Sequence, residues 1–269
     1  MSWWRKREIE VKFDFSVPMT IYEFLAIVLS AIAIMIPIFQ AIWKKWIIKE
    51  KLNFLPTGRI ALFFNQSGSY IRVDGVYEAE NKPISVKNIS IKATRHKDDR
   101  KLNLNWISFI SPVNQSVASN VLFSNESAHP FRIEANSITT AFTEFGDSFD
   151  SFGKNFRACT APLFNRIGKI RNSGMSYEEA LAQYRAFPEY SQVKDLLRKE
   201  FFWEIGKYDL DIAVSYREKT VHFCYTFSVG EYEQNHLLEN CDEALITPLK
   251  SVYGVALNYQ TAYLELHAK

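Results

Sequence analysis

The sequence has 269 residues, with 32 Lys and Arg against 30 Asp and Glu and a formal net charge of +2. That balance argues against a bulk-charge nucleic-acid binder, and 47% hydrophobic residues supply enough apolar material for a buried core. Three cysteines, Cys159, Cys224 and Cys241, make no disulfide framework and fit a reducing compartment.

Residues 1–19 read as a leader. Ile9, Val11, Phe13 and Phe15 alternate with Glu10, Lys12 and Asp14, a strand-like pattern. Pro18 and Thr20 then mark a helix start. The run 24–43 follows, 20 residues without a charge. It is long enough for a bilayer core of about 30 Å. Phe24, Pro37, Gln40 and Trp43 mark this expected transmembrane anchor. Ser30 and Gln40 are its polar side chains and form no stripe, unlike those of a half-buried core helix. Pro37 is tolerated in a membrane helix as a kink. Trp3, Trp4 and Tyr22 flank one end, and Trp43 and Trp46 the other, as interfacial aromatics do. The run is longer than a signal-peptide core and ends in Trp-Lys-Lys-Trp, so it reads as an uncleaved anchor.

Nine basic and five acidic residues lie before residue 60, which leaves 23 and 25 beyond it. The excess of positive charge therefore belongs to the flanks of the apolar run, and no nucleic-acid partner is expected. Lys44, Lys45, Lys49 and Lys51 form a juxtamembrane basic group suited to anionic lipid. The positive-inside rule and the unpaired cysteines both place the C-terminal part on the cytoplasmic side. Ala26, Ser30 and Ile34 share one helix face at a spacing that supports self-association. The transmembrane helix with its extension is expected over 20–48, with helix-like basic and apolar character continuing through 46–54 until Pro56 and Gly58 break it.

A soluble β-rich domain is expected over 54–269, with a first strand set at 54–145, a helical insertion at 146–206, and strands plus a helix at 207–269. Alternating runs at 70–77 and 84–94, and the stretch 131–145 around Ala135-Asn136-Ser137, read as strands. Ser176 and Glu179 make a capping box, and Pro188 starts a helix running to about 205. Runs 208–216 and 220–229 flank a turn at 217–219, and apolar residues recur at helical spacing over 231–252. The fold class is α+β: one N-terminal transmembrane helix, then a β-sandwich-like domain of immunoglobulin-like strand spacing with helical insertions. The Cys…Trp…Cys pattern of true immunoglobulin domains is missing.

Three constellations invite chemistry. His222 and Cys224 share a strand face, with His236 and Cys241 on the following helix, but the spacing matches no zinc motif. Ser148 and the Ser151…Lys154 pair resemble fragments of serine-hydrolase signatures, without a Lys-Thr-Gly partner motif. Residues 95–101 are a dense charge cluster, read as a solvated hairpin tip or as a contact for anionic headgroups or an acidic partner. No catalytic residue, metal or cofactor is assigned. The expected partners are the lipid bilayer and a protein partner or a second copy. The expected function is a single-pass, non-enzymatic binding, scaffold or sensor protein at the inner face of a bacterial membrane. The alternatives are a membrane-perturbing effector that oligomerises through its helix, as in a stress or defence system, and a membrane-anchored serine hydrolase.

Overall fold

The structure, a computed structural model, describes residues 20–43, 48–117 and 120–269, with side-chain surroundings outside 111–124. The leader at 1–19, Lys44, Lys45 and Trp46 lie outside the described residues. The chain divides into two units, Met1–Lys49 and Glu50–Lys269.

In the first unit, helix α1 spans Ile21–Ile42. Thr20 caps it, and the Glu23 carboxylate reaches back to the Thr20 backbone N–H at 2.8 Å, a reciprocal capping box. The helix is 22 residues long, with mean hydropathy 2.5 and no buried residue. By length and composition it can cross a membrane. Pro37 sits inside it, and the Phe39 and Trp43 rings meet at 5.7 Å at its C-terminal end.

The second unit is built on one antiparallel sheet. Its long strands are β1 (Lys51–Asn65), β2 (Gly68–Glu80), β3 (Ile84–Arg95) and β4 (Lys101–Val117). Then come β5 (Asn120–Ser127), β6 (Phe131–Ile133), β7 (Ser137–Gly146), β8 (Gly206–Tyr216), β9 (Lys219–Val229), β10 (Ala262–Glu265) and β11 (His267–Ala268). The order is β10-β1-β2-β7-β4-β3-β8-β9-β11, with β5 added to β4 and β6 to β3. The two ends of this order are consecutive in sequence. β10 pairs with β1, Leu266 donates its N–H to Gly58, and β11 pairs with β9. The last strand thus changes partner at Leu266 and draws the sheet into a nearly closed barrel.

This corrects the expected sandwich. Alternation shows which side chains face the core, but it reads the same whether two sheets face each other or one sheet curls on itself. Here one apolar row crosses strand after strand. Leu104 opposes Ile91, Ile91 opposes Ile212, and Ile212 opposes Phe223. Strands of 11–17 residues twist enough to curl such a sheet. Close approach at one point demands glycine, because a Cβ on Gly75 would stand 2.4 Å from the Phe54 ring.

The helical reading of 46–54 also changes. Strand begins at Lys51, because Leu52 and Phe54 alternate into the core, and Pro56 and Gly58 form an irregularity within β1 instead of a helix end. By contrast, the two strands around 134–136, the two-residue turn at Arg217-Glu218 and the long helix after Gly230 stand where alternation and spacing put them.

Between β7 and β8 lies the helical insertion: α2 (Ser151–Phe164), α3 (Ile167–Asn172), α4 (Tyr177–Arg185) and α5 (Pro188–Glu200). Phe156, Thr160 and Leu163 bury one face of α2, and Tyr190, Val193 and Leu197 one face of α5. The Ser176–Glu179 capping box opens α4. Helix α5 stops at Glu200 and not near 205. Phe201, Phe202 and Trp203 are all at most 3% exposed. A helix turns consecutive residues about 100° apart and would expose at least one of three adjacent rings. The irregular path buries all of them.

Helix α6 (Glu231–Tyr253) packs against β1, β10 and α5. A polar stripe on it ties down the segment before β10. Asn240 exchanges two hydrogen bonds of 2.7 Å with the Gln260 backbone. The Glu243 carboxylate accepts the Asn258 N–H at 2.8 Å and pairs with Lys250 at 2.8 Å. Thr247 meets the Tyr259 hydroxyl at 2.9 Å.

Candidate functional site

A cavity of about 300 Å³ opens where the barrel meets the helical insertion. The β1–β2 turn supplies Ser67, Gly68 and Ser69, the start of β4 supplies Lys101 and Asn103, and Asp147, Phe152, Glu200, Phe202 and Arg100 are also in the lining. Each element is there for a local reason. Asn65 accepts the Ser67 N–H at 2.8 Å and tightens the turn. Gly68 has a φ of +106° and lets the Phe152 ring lie against it, at 3.3 Å from where a Cβ would be.

Asp147 fixes the start of α2. Its carboxylate accepts the N–H of Phe149 at 3.0 Å, of Ser151 at 2.7 Å and of Phe152 at 3.4 Å. Burial pushes its pKa up, but these backbone hydrogen bonds outweigh burial and hold it below the usual carboxylate range. The folded pKa is therefore the lower one. The stability this group contributes is present above its unfolded pKa and is lost as pH falls through the folded value. In the Asp147→Asn variant that part of the acid sensitivity disappears, so urea midpoints measured from pH 6 down to pH 3 fall less steeply than in the parent. Parallel curves would show that Asp147 is not anchoring α2.

Two guanidinium groups flank the Phe202 ring, Arg95 at 5.7 Å and Arg100 at 5.9 Å from its centroid. Their electrostatics differ. Arg95 is buried and fully answered: Asp98 takes two of its hydrogen bonds at 2.8 and 2.6 Å, Glu204 pairs at 3.0 Å, and the Phe202 carbonyl accepts at 3.2 Å. The Asp98 hydrogen bond holds Arg95 charged, and Arg95 in turn lowers the Asp98 pKa to about 2. Arg100 has no ion pair among the described residues beyond a through-space interaction with Asp98, whose two oxygens Arg95 already occupies. A second groove, lined by Pro162, Arg166, Lys169 and Phe187, differs on this point, because Arg166 is paired with Glu189 over the Phe187 ring.

Comparison with protein families finds no matching profile, and comparison with curated proteins finds no match. No family is shown for this chain. Among solved structures, a family 123 glycoside hydrolase from Clostridium perfringens, described for glycolipid glycan hydrolysis, aligns at 12% identity and a TM-score of 0.29. The alignment covers 68% of this chain and 27% of that one, so this chain spans about a quarter of the hydrolase's length. A likeness of that size carries no argument about fold or chemistry.

The sequence-derived residues are scattered by the fold. Phe24, Pro37, Gln40 and Trp43 lie in or directly after α1, exposed along the helix. Lys44 and Lys45 fall outside the described residues. Lys51 begins β1 and pairs with Glu80 at 2.9 Å, so it belongs to the barrel and not to a helical extension. The four metal candidates do not meet: His222 bonds Asp211, His236 lies against Tyr232, Cys241 is buried on α6 and Cys224 is exposed on β9. Among the described residues no group of three or more His, Cys, Asp and Glu could hold an ion. Ser148 accepts from Asn105 at 2.9 Å, and Ser151 sits at the first position of α2 beside Asp147.

The cluster at 95–101 divides. Arg95 goes inward, His96 pairs with Asp209 at 3.0 Å on β8, and Arg100 and Lys101 face the cavity. Sequence reasoning marked this cluster but missed Ser67 and Phe202. Only the local Asn-x-Ser-Gly turn carried any signal of their roles.

Proposed function

We propose that the chain is a single-pass membrane protein whose barrel domain is a non-enzymatic binding or sensor module. The observation that carries this is α1: a 22-residue apolar helix, about 33 Å long, with no buried residue among the described residues. Such a surface needs another apolar phase, and a bilayer core matches it in length. The domain Glu50–Lys269 faces the cytoplasm, in a bacterial inner membrane. The positive charge after the run and three cysteines left as thiols support that orientation.

Expected is a protein that stays in the membrane pellet through alkaline carbonate washing, and that a chain lacking Ile21–Ile42 does not. In intact spheroplasts the exposed Cys159 and Cys224 resist a membrane-impermeant maleimide and react after lysis. Release by carbonate would overturn the anchor. Labelling of intact spheroplasts would reverse the orientation.

A further inference from the structure

We propose that the cavity between the β1–β2 turn and α2 binds a small organic phosphate, with Arg100 as its principal contact. The proposal rests on the binding-module reading and narrows it to a site and a ligand class. Its core is a charge count made by geometry. The cavity is lined by two cations, Arg100 and Lys101, and two anions, Asp147 and Glu200. Asp147 forms no ion pair with Arg100 among the described residues; its carboxylate instead accepts three backbone N–H groups at the start of α2. Glu200 at the end of α5 and Lys101 at the start of β4 are both exposed to solvent, where screening weakens each. Arg100 therefore keeps an unanswered fork of N–H donors, held beside the buried Phe202 ring.

Its neighbours suit the same kind of ligand. Ser67, Ser69 and Asn103 bring hydroxyl and amide donors to the wall, and Lys101 adds a second positive charge. Phe152, Leu102 and Leu104 provide apolar lining beside them. A planar guanidinium with hydroxyls next to it matches the fork of oxygens on a phosphate, and the apolar wall suits a compact carbon body attached to that phosphate. The other groove is the internal control, since Arg166 there is already neutralised by Glu189.

The test uses the full chain in nanodiscs of zwitterionic lipid, so that no lipid anion competes. Phenyl phosphate is the probe, with inorganic phosphate and phenol as its two halves. Calorimetry is expected to show saturable binding of phenyl phosphate, tighter than either half. Affinity falls about tenfold or more in Arg100→Gln, in keeping with the loss of a charged hydrogen-bond pair. Arg166→Gln leaves it unchanged. The thermal midpoint of unliganded Arg100→Gln matches the parent, which separates lost binding from lost folding. No saturable binding, equal affinity in Arg100→Gln, or binding of phenol as tight as phenyl phosphate would overturn the proposal. Failure here leaves the membrane reading standing if the chain still resists carbonate extraction, whereas carbonate release sinks that reading whatever the probe does.

Discussion

Replacing Glu243 by Ala is expected to lower the unfolding free energy of the barrel domain by about 3–5 kcal/mol, because it leaves Lys250 charged without its partner. The side chains of Lys250 and Glu243 are 12% and 8% exposed, so little water can take over. The same carboxylate also accepts the Asn258 N–H, which then loses its acceptor. Lys250→Met in the same chain should recover part of the loss, since an apolar pair strands no charge. Urea denaturation of the single and double variants forms the cycle that measures this. A loss below about 1 kcal/mol in Glu243→Ala would mean that Lys250 reaches solvent and the pair is an ordinary surface one.

The second large effect concerns Trp203. It is fully buried, and it lies against Phe202 at 5.0 Å, Tyr208 at 5.9 Å and Phe227 at 6.4 Å between ring centroids. Trp203→Ala is expected to cost about 3–5 kcal/mol through lost burial and the cavity left behind. Trp203→Phe should cost far less. The indole Nε1 has no hydrogen-bond partner among the described residues, so the exchange removes volume without breaking a bond. Denaturant midpoints for the two variants check the ordering. If Trp203→Phe proved as damaging as Trp203→Ala, an undescribed partner of the indole would have to be sought.

Trp203 lies where sequence reading worked least well. Periodicity located α6 and both strands of the β8–β9 hairpin, because each buries one clean face. It overran at 201–205, where three adjacent aromatic residues abandon any period and tertiary packing sets the backbone. It also misread 51–54, a strand preceded by lysines that resemble a helix flank. The curl of the sheet left no local mark, since alternation is blind to whether a strand's neighbour belongs to the same sheet. At the cavity, Arg95 and Arg100 look alike in sequence. Only the distances to Asp98 and Glu204 show that one is answered and the other is not. The apolar repeat of α6 was legible, but the grip of its polar residues Asn240 and Glu243 on 258–260 was not, because those contacts are made to backbone atoms.

The seam at Leu266 also sets a timetable. β1 leaves the ribosome near the beginning of the domain, and the strand that closes on it emerges about 200 residues later, on the order of ten seconds or more at ordinary elongation rates. Throughout that interval the outer edge of β1 has no strand to pair with. Unpaired edges invite the wrong neighbour. The stripe on α6 is made just before it is needed. By gripping 258–260 it delivers β10 to the gap as an almost local event, so a closure that is distant along the chain behaves like the last click of a latch.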